Sequence, residues 1–143
     1  MTNQITIRNI FIEDSQAISE LVSQLGTSID KDSVAGQIES IISNPDHFAF
    51  VAELNNKVVG YIHYFIALRL TTKPFIEICG LVVDRKERRK GIAKLLINKI
   101  DTNSNDIEKI RVRCNTKRED AHKFYYSLGF SLSKEQKIFE RTP

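Results

Sequence analysis

Cysteine is scarce in this chain, with only Cys79 and Cys114 among 143 residues. They are too few for a disulfide scaffold and lack metal-ligand spacing. Both are read as reduced thiols in apolar strand patterns, where a small buried residue is expected, and no metal is expected. No apolar run approaches the roughly 18 residues of a membrane span, and Met1-Thr2-Asn3-Gln4 lacks the basic-then-apolar order of a secretory leader. The expectation is a cytoplasmic protein with no membrane partner. Charge of one sign is missing too: 21 Lys and Arg stand against 18 Asp and Glu, a formal net charge of +3. That is too mild to imply nucleic acid unless the basic residues gather on one face. There are no repeats, low-complexity tracts or interdomain linkers.

What is present is ordinary in bulk, with 41% apolar and 27% charged residues, as expected of one globular domain over residues 1–143. Ile5 and Ile7, with Phe11 following, alternate as a first strand. Glu13-Asp14-Ser15 then opens a helix that buries Ala17, Ile18, Leu21, Val22 and Leu25 up to Gly26. A second helix carries Val34, Ile38, Ile41 and Ile42 until Asn44-Pro45 stops it. Phe48 to Leu54 and Val58 to Ile66 form a hairpin turned at Asn55-Asn56. Phe75 to Val83 is a buried strand with a bulge signalled at Gly80.

After that strand come a basic turn, Asp84 to Lys90, and an amphipathic helix with Ile92, Leu95, Leu96 and Ile100. A strand through Ile110, Val112 and Cys114 follows. Strand, turn, helix and strand make a crossover, so these two strands should be parallel. A last helix runs from about Glu119 to Leu128. Phe130-Ser131-Leu132 and Ile138-Phe139-Glu140 then form a closing pair of strands.

A glycine-bearing basic turn between a buried strand and a helix start is an anion site. The first helical amides point outward unpaired, the helix dipole adds positive charge, and glycine lets an oxygen approach the backbone. Arg88, Arg89 and Lys90 add charge-assisted donors. The competing reading of such a cluster is a solvated basic turn. A Walker-type loop is excluded by the missing Gly-Lys-Ser/Thr ending, and the dinucleotide fingerprint lacks two of its glycines.

Arg88-x-x-Gly91-x-Ala93 after Leu81-Val82-Val83 resembles the acetyl-CoA signature of the GNAT superfamily of N-acetyltransferases. Downstream, Asn115 and then Ala121-His-Lys-Phe124-Tyr125-Tyr-Ser-Leu-Gly129-Phe130 resemble that superfamily's second motif, in the same order. The resemblance implies a mixed α/β (α+β) fold with a mostly antiparallel central sheet of about six to seven strands and about four helices, in which one parallel strand pair splays to hold acetyl-CoA. It implies backbone hydrogen bonds from Leu81, Val82 and Val83 to the pantetheine arm, with Arg88, Arg89, Lys90, Gly91, Ile92, Ala93 and Lys94 around the pyrophosphate. Asn115 would contact the pantetheine or mark the far wall of the cleft, its alternative being a strand-end turn residue.

Acetyl transfer to an amine needs a deprotonated nitrogen, a stabilised oxyanion and a proton for the departing thiolate. An alkyl amine with a pKa of about 10 must lose a proton first. Glu77, in an otherwise apolar strand, is the candidate base, directly or through water, provided the alternation holds through Gly80. Its alternative is a carboxylate paired with a neighbouring arginine. Tyr125 is the candidate acid, since a phenol of pKa about 10 suits a thiolate leaving group of pKa about 8.5. Tyr126 points about 100° away on the helix. An N–H near Leu81 or Val82 would hold the oxyanion. A covalent route through Cys79 or Cys114 lacks an evident partner for the thiol, and His63 is placed on the acceptor side.

The resemblance extends to transfer in a ternary complex onto a primary amine of a small molecule. The alternatives are a protein lysine or N-terminal acetyltransferase, or an acyl-CoA-binding module without turnover. Asp30 and Asp32 would attract a cationic amine or simply begin a helix, Arg69 would meet an acid group, and a homodimer is compatible.

Overall fold

The computed structural model describes residues 4–104 and 106–143. One compact unit ends at Val112 and a second runs Arg113–Pro143. In the first, β1 (Ile5–Asn9) leads through a 3-10 turn at Ile12–Asp14 into α1 (Ser15–Ser23) and α2 (Lys31–Ile42). The hairpin of β2 (His47–Leu54) and β3 (Lys57–Arg69) follows, then β4 (Thr72–Val83), α3 (Ile92–Ile97) and β5 (Ile110–Val112). The sheet order is β1-β2-β3-β4-β5, antiparallel except for the parallel β4–β5 pair. The hairpin turns where Asn55 and Asn56 take φ of 52° and 62°, a backbone region that asparagine tolerates.

Residues paired in register share a face, so the two sides of the sheet can be assigned. On one side Ile18, Leu21, Val34 and Ile38 of α1 and α2 pack with Ala49, Val51 and Val82, and Tyr61 joins them. The opposite side carries α3. There a Cβ on Gly60 would lie 2.9 Å from the Val82 carbonyl oxygen and 3.5 Å from both Ile92 and Leu96. Gly60 is thus what lets the start of α3 press onto β3.

The sheet has five strands, fewer than expected. Residues 129–143 form no regular element, and Leu132, Ile138 and Phe139 are exposed, so the closing strand pair is absent from the described chain. Alternating apolar residues predict a strand only where a partner supplies the backbone hydrogen bonds, and none does so for this segment within the described residues.

Buried Asp14 ties β1 to α1. Arg8 reaches both its oxygens at 2.9 Å and the Phe11 N–H donates to it at 2.8 Å. Burial alone would push this carboxyl up, but the Arg8 and Phe11 hydrogen bonds outweigh it and hold the group below its ordinary value. The contribution is therefore full above the unfolded carboxylate pKa of about 4 and lost as pH falls through the depressed folded value. Asp14→Asn is expected to cost about 2 kcal/mol at neutral pH. Urea melts at falling pH should show the wild-type advantage shrinking toward zero in acid.

Candidate active site

Between Ile78 and Gly80, β4 carries one residue more than β3 can match. His63 pairs with Gly80 and Tyr64 with Ile78, leaving Cys79 as the extra residue of a bulge. The thiol expected to be buried is exposed, because a bulged residue leaves the alternation of the strand. The same insertion reverses faces. Glu77 pairs with Phe65 on the α1/α2 side, whereas Leu81 pairs with Ile62 on the α3 side. The alternation on which the Glu77 reading depends does not hold through Gly80, and Glu77 and Leu81 lie on opposite faces.

Glu77 is buried and matched in register by Arg111 of β5. Arg111 Nε donates to its Oε1 at 2.8 Å and a terminal guanidinium nitrogen does so at 2.5 Å. Arg111 also lies over the Phe75 ring at 4.5 Å, beside Lys109 at 4.6 Å. The carboxylate is held as one half of an ion pair, as its alternative reading had it.

β5 pairs with β4 only at Ile76, Glu77 and Ile78. Among the described residues no strand pairs with Cys79 to Val83 on that side, and β4 there presents a backbone edge beside buried Leu81, Val82 and Val83. An extended ligand with amide groups can pair with such an edge as an added strand would.

The edge leads into the basic turn, which α1 braces. Gln24 accepts from the Arg85 N–H at 3.0 Å and its carbonyl accepts from the Arg85 side chain at 2.6 Å. Asp84 accepts from the Lys86 N–H at 3.1 Å. Arg88, Arg89, Lys90, Gly91 and Lys94 are exposed, while Ile92 and Ala93 are buried and fix the helix to the sheet. Lys90 is paired with Glu87. Arg89 and Gly91 have φ of 66° and 77°, left-handed positions of the kind found where backbone N–H groups gather around an anion. No side chain caps α3, and Gly91 is its N-cap. A Cβ at Gly91 meets nothing within 4 Å, so the space before the helix start is open to a ligand.

In the second unit α4 spans Glu119–Ser127. Asn115 lies in the turn before it, its Oδ1 accepting from the Lys117 N–H at 2.9 Å. Its carbonyl accepts from the Arg118 N–H at 3.0 Å and from His122 Nε2 at 2.9 Å. Tyr125 is half-buried and Tyr126 is exposed. The Tyr125 ring meets Phe124 and Phe130 edge-on, with centroids at 5.3 and 5.8 Å. Burial, then Cys114, pushes its phenol up, against the pull of Arg118, so it stays protonated at neutral pH.

The sequence reading left two features unplaced. Gly60 is marked only by being a glycine inside a strand. The His47–His63 pair, 2.9 Å apart across β2 and β3, becomes visible only once the hairpin register is known.

Comparison with known proteins agrees with this geometry. A profile described as the acetyltransferase (GNAT) family matches residues 11–130. The chain belongs to the GNAT family of acetyltransferases, whose members use acetyl-CoA. Among solved structures it is similar to aminoglycoside N-acetyltransferase AAC(6')-Iy in complex with CoA, at 20% identity and a TM-score of 0.83, over 99% of this chain and 97% of that one. It is also similar to aminoglycoside 6'-N-acetyltransferase AAC(6')-Ih from Acinetobacter baumannii, at 16% identity and TM-score 0.86, covering 98% and 99%. Glucosamine-6-phosphate N-acetyltransferase from Arabidopsis thaliana aligns at 22% identity and TM-score 0.79, covering 96% and 98%. These likenesses establish the fold.

Two glycine substitutions separate the cradle from its support. Gly91→Glu places bulk and negative charge in open space at a left-handed position, so coenzyme A affinity should fall by about tenfold or more. Gly60→Ala should instead lower stability by about 1–3 kcal/mol through the Val82 carbonyl contact. Calorimetric titration and thermal melts read the two effects independently.

Proposed function

We propose that the protein transfers an acetyl group from acetyl-CoA to a primary amine of a small molecule, by direct attack in a ternary complex. The single observation that carries this reading is the β4 edge from Cys79 to Val83, without a strand partner on the β5 side among the described residues, running into the turn at Gly91. Together they offer a strand-like track for an amide-bearing arm and a concave set of N–H groups for a pyrophosphate. In this reading Leu81, Val82 and Val83 pair with the arm, Arg88 to Lys94 hold the phosphates, and Asn115 orders the turn into α4.

Acetyl-CoA supplies a thioester whose C–S bond breaks as the C–N bond forms. Tyr125 donates its phenolic proton to the departing sulfur, a role that suits a group kept neutral by burial. A backbone N–H near Leu81 or Val82, just past the bulge, stabilises negative charge on the carbonyl oxygen. Glu77 acts on the amine through water, because Arg111 occupies its Oε1. A small-molecule acceptor is favoured by the aminoglycoside and glucosamine-6-phosphate enzymes among the structural neighbours. The other acceptor class is a protein lysine or N-terminus, and an acyl-CoA-binding module without turnover would retain the cradle alone. Location in the cytoplasm belongs to this proposal, and no helix among the described residues is long and apolar enough to cross a membrane.

Coenzyme A at 100 times its Kd should stabilise the protein by about 2.7 kcal/mol. A panel including neamine, glucosamine 6-phosphate and a lysine peptide, followed by thiol release, then identifies the acceptor class. Stabilisation without thiol release from any amine would mark a binding module. Tyr125→Phe is expected to slow transfer by about a hundredfold with coenzyme A affinity retained. A wild-type rate across pH would remove Tyr125 from the role of acid.

A further inference from the structure

One proton is left over at each turnover. The nitrogen of a bound ammonium gives up two protons on becoming an amide and the departing sulfur takes one, so one must reach solvent. This inference rests on the transferase reading above and asks which groups carry that proton.

His63 of β3 lies opposite Gly80, directly beside the bulged Cys79 and on the same face of the sheet as Glu77. Its Nε2 is 2.9 Å from Nδ1 of His47 on β2. The His47 ring stacks on Phe65 at 5.0 Å with 12° between planes, which fixes its orientation. Across this face His47, Phe65, Glu77 and Arg111 stand in one register row over four strands. The charged members, Glu77 and Arg111, are paired with each other. The Cys79 thiol, its residue exposed but its sulfur partly desolvated and then opposed by the Glu77 charge, is pushed up to about 11 and is neutral. The α1 and α2 residues buried against this side, Ile18, Leu21, Val34 and Ile38, carry no charge. Two imidazoles in hydrogen-bond contact cannot both be cations, so the pair has room for one proton. Burial, then His47, pushes His63 down to about 4, and its ring is neutral at neutral pH with a lone pair to offer.

We propose that His63 takes the proton from the amine, directly or through a water held by Glu77, and passes its own Nε2 proton to His47 on the way to solvent. The ammonium N–H bond breaks and its electron pair stays on nitrogen for attack on the thioester. A new N–H bond forms at His63 Nδ1 while the Nε2 proton moves to His47 Nδ1. His47 then releases its Nε2 proton to water. Each ring ends neutral in its other tautomer, one proton has passed from the amine to solvent, and proton exchange with water returns both rings to their starting tautomers before the next turnover. His63 is the catalytic residue in this step and His47 its relay partner.

The test uses full-length His63→Gln and His47→Gln proteins with two acceptors. One is an alkyl amine from the panel, neamine or glucosamine 6-phosphate, which is protonated at neutral pH. The other is methoxyamine, whose nitrogen is not. His63→Gln should lower kcat/KM for the alkyl amine by about tenfold or more and His47→Gln by a smaller factor. Methoxyamine transfer and coenzyme A affinity should stay near wild type. Equal losses with both acceptors, or none with the alkyl amine, overturn the relay while leaving an active wild type as a transferase. Wild-type protein that shows no amine-dependent release of coenzyme A from acetyl-CoA with any of these acceptors overturns the transferase reading itself. NMR of the histidine rings gives a readout without turnover. His63 should titrate well below the ordinary 6.5 and move upward in His47→Gln. An ordinary titration insensitive to His47 overturns the pair whatever the acceptor.

Discussion

The structure depends on a mismatch between two neighbouring strands. Between the pairs Tyr64–Ile78 and His63–Gly80, β4 carries one residue more than β3 can match, and that surplus is absorbed at Cys79. A bulge of this kind leaves backbone groups out of the ladder and sharpens local twist. Here the strand changes partners in the same stretch. From Ile76 to Ile78 it is paired on both sides, and from Cys79 onward, among the described residues, only on the β3 side. A central strand thus becomes an edge strand halfway along its length. Exposed edges are normally a liability that a fold covers or blunts. This one is left where an extended ligand can complete the sheet, and it ends at a helix start where an anion is favoured.

The same surplus residue organises the side chains. Had the alternation run uninterrupted, Glu77 would lie on the side of Leu81, among the apolar residues under α3. The bulge turns it to the α1/α2 side with Arg111, in the row that includes His47. A buried carboxylate needs a partner, because the cost of taking its charge out of water exceeds what apolar neighbours return. Arg111 supplies one, at the middle of the three positions where β4 and β5 pair. The ion pair therefore sits one position before the two strands part.

Most of this fold was legible from local patterns. The Asn55-Asn56 turn, the helix stripes over Val34 and Ile38, and the strand-turn-helix-strand crossover follow from period and turn chemistry alone. Gly80 correctly signalled a bulge, although the extra residue is Cys79, and a surplus residue anywhere between Glu77 and Leu81 puts the two on opposite faces. A one-residue ambiguity in a strand is invisible in composition and decisive in space, since side chains alternate with period two. The Glu77–Arg111 and His47–His63 contacts were not legible because each depends on the register between strands, and register is a tertiary property. The closing strand pair was expected from alternation alone. Residues 129–143 show that alternation without a hydrogen-bonding partner does not make a sheet.

The donor side of the reaction was easier to read than the acceptor side, and the reason is physical. A pyrophosphate is recognised mainly by backbone N–H groups, and placing those groups demands particular backbone angles. Such angles leave marks in the sequence, as Gly91 does at φ 77°. Even Arg89, at φ 66°, is tolerable there because the turn is closed on both flanks, by Asp84 and Gln24 before it and by buried Ile92 and Ala93 after it. An amine is recognised by side chains gathered from separate elements, and no spacing rule ties them together. Asp30 illustrates the difference. It looked able to attract a cation, but Ser33 donates to both of its oxygens at 2.8 Å, and it serves as the N-cap of α2. A carboxylate engaged in capping has its geometry set by the helix it opens. That leaves the histidine pair and the Glu77 row as the polar groups of this face whose arrangement the helix termini do not explain.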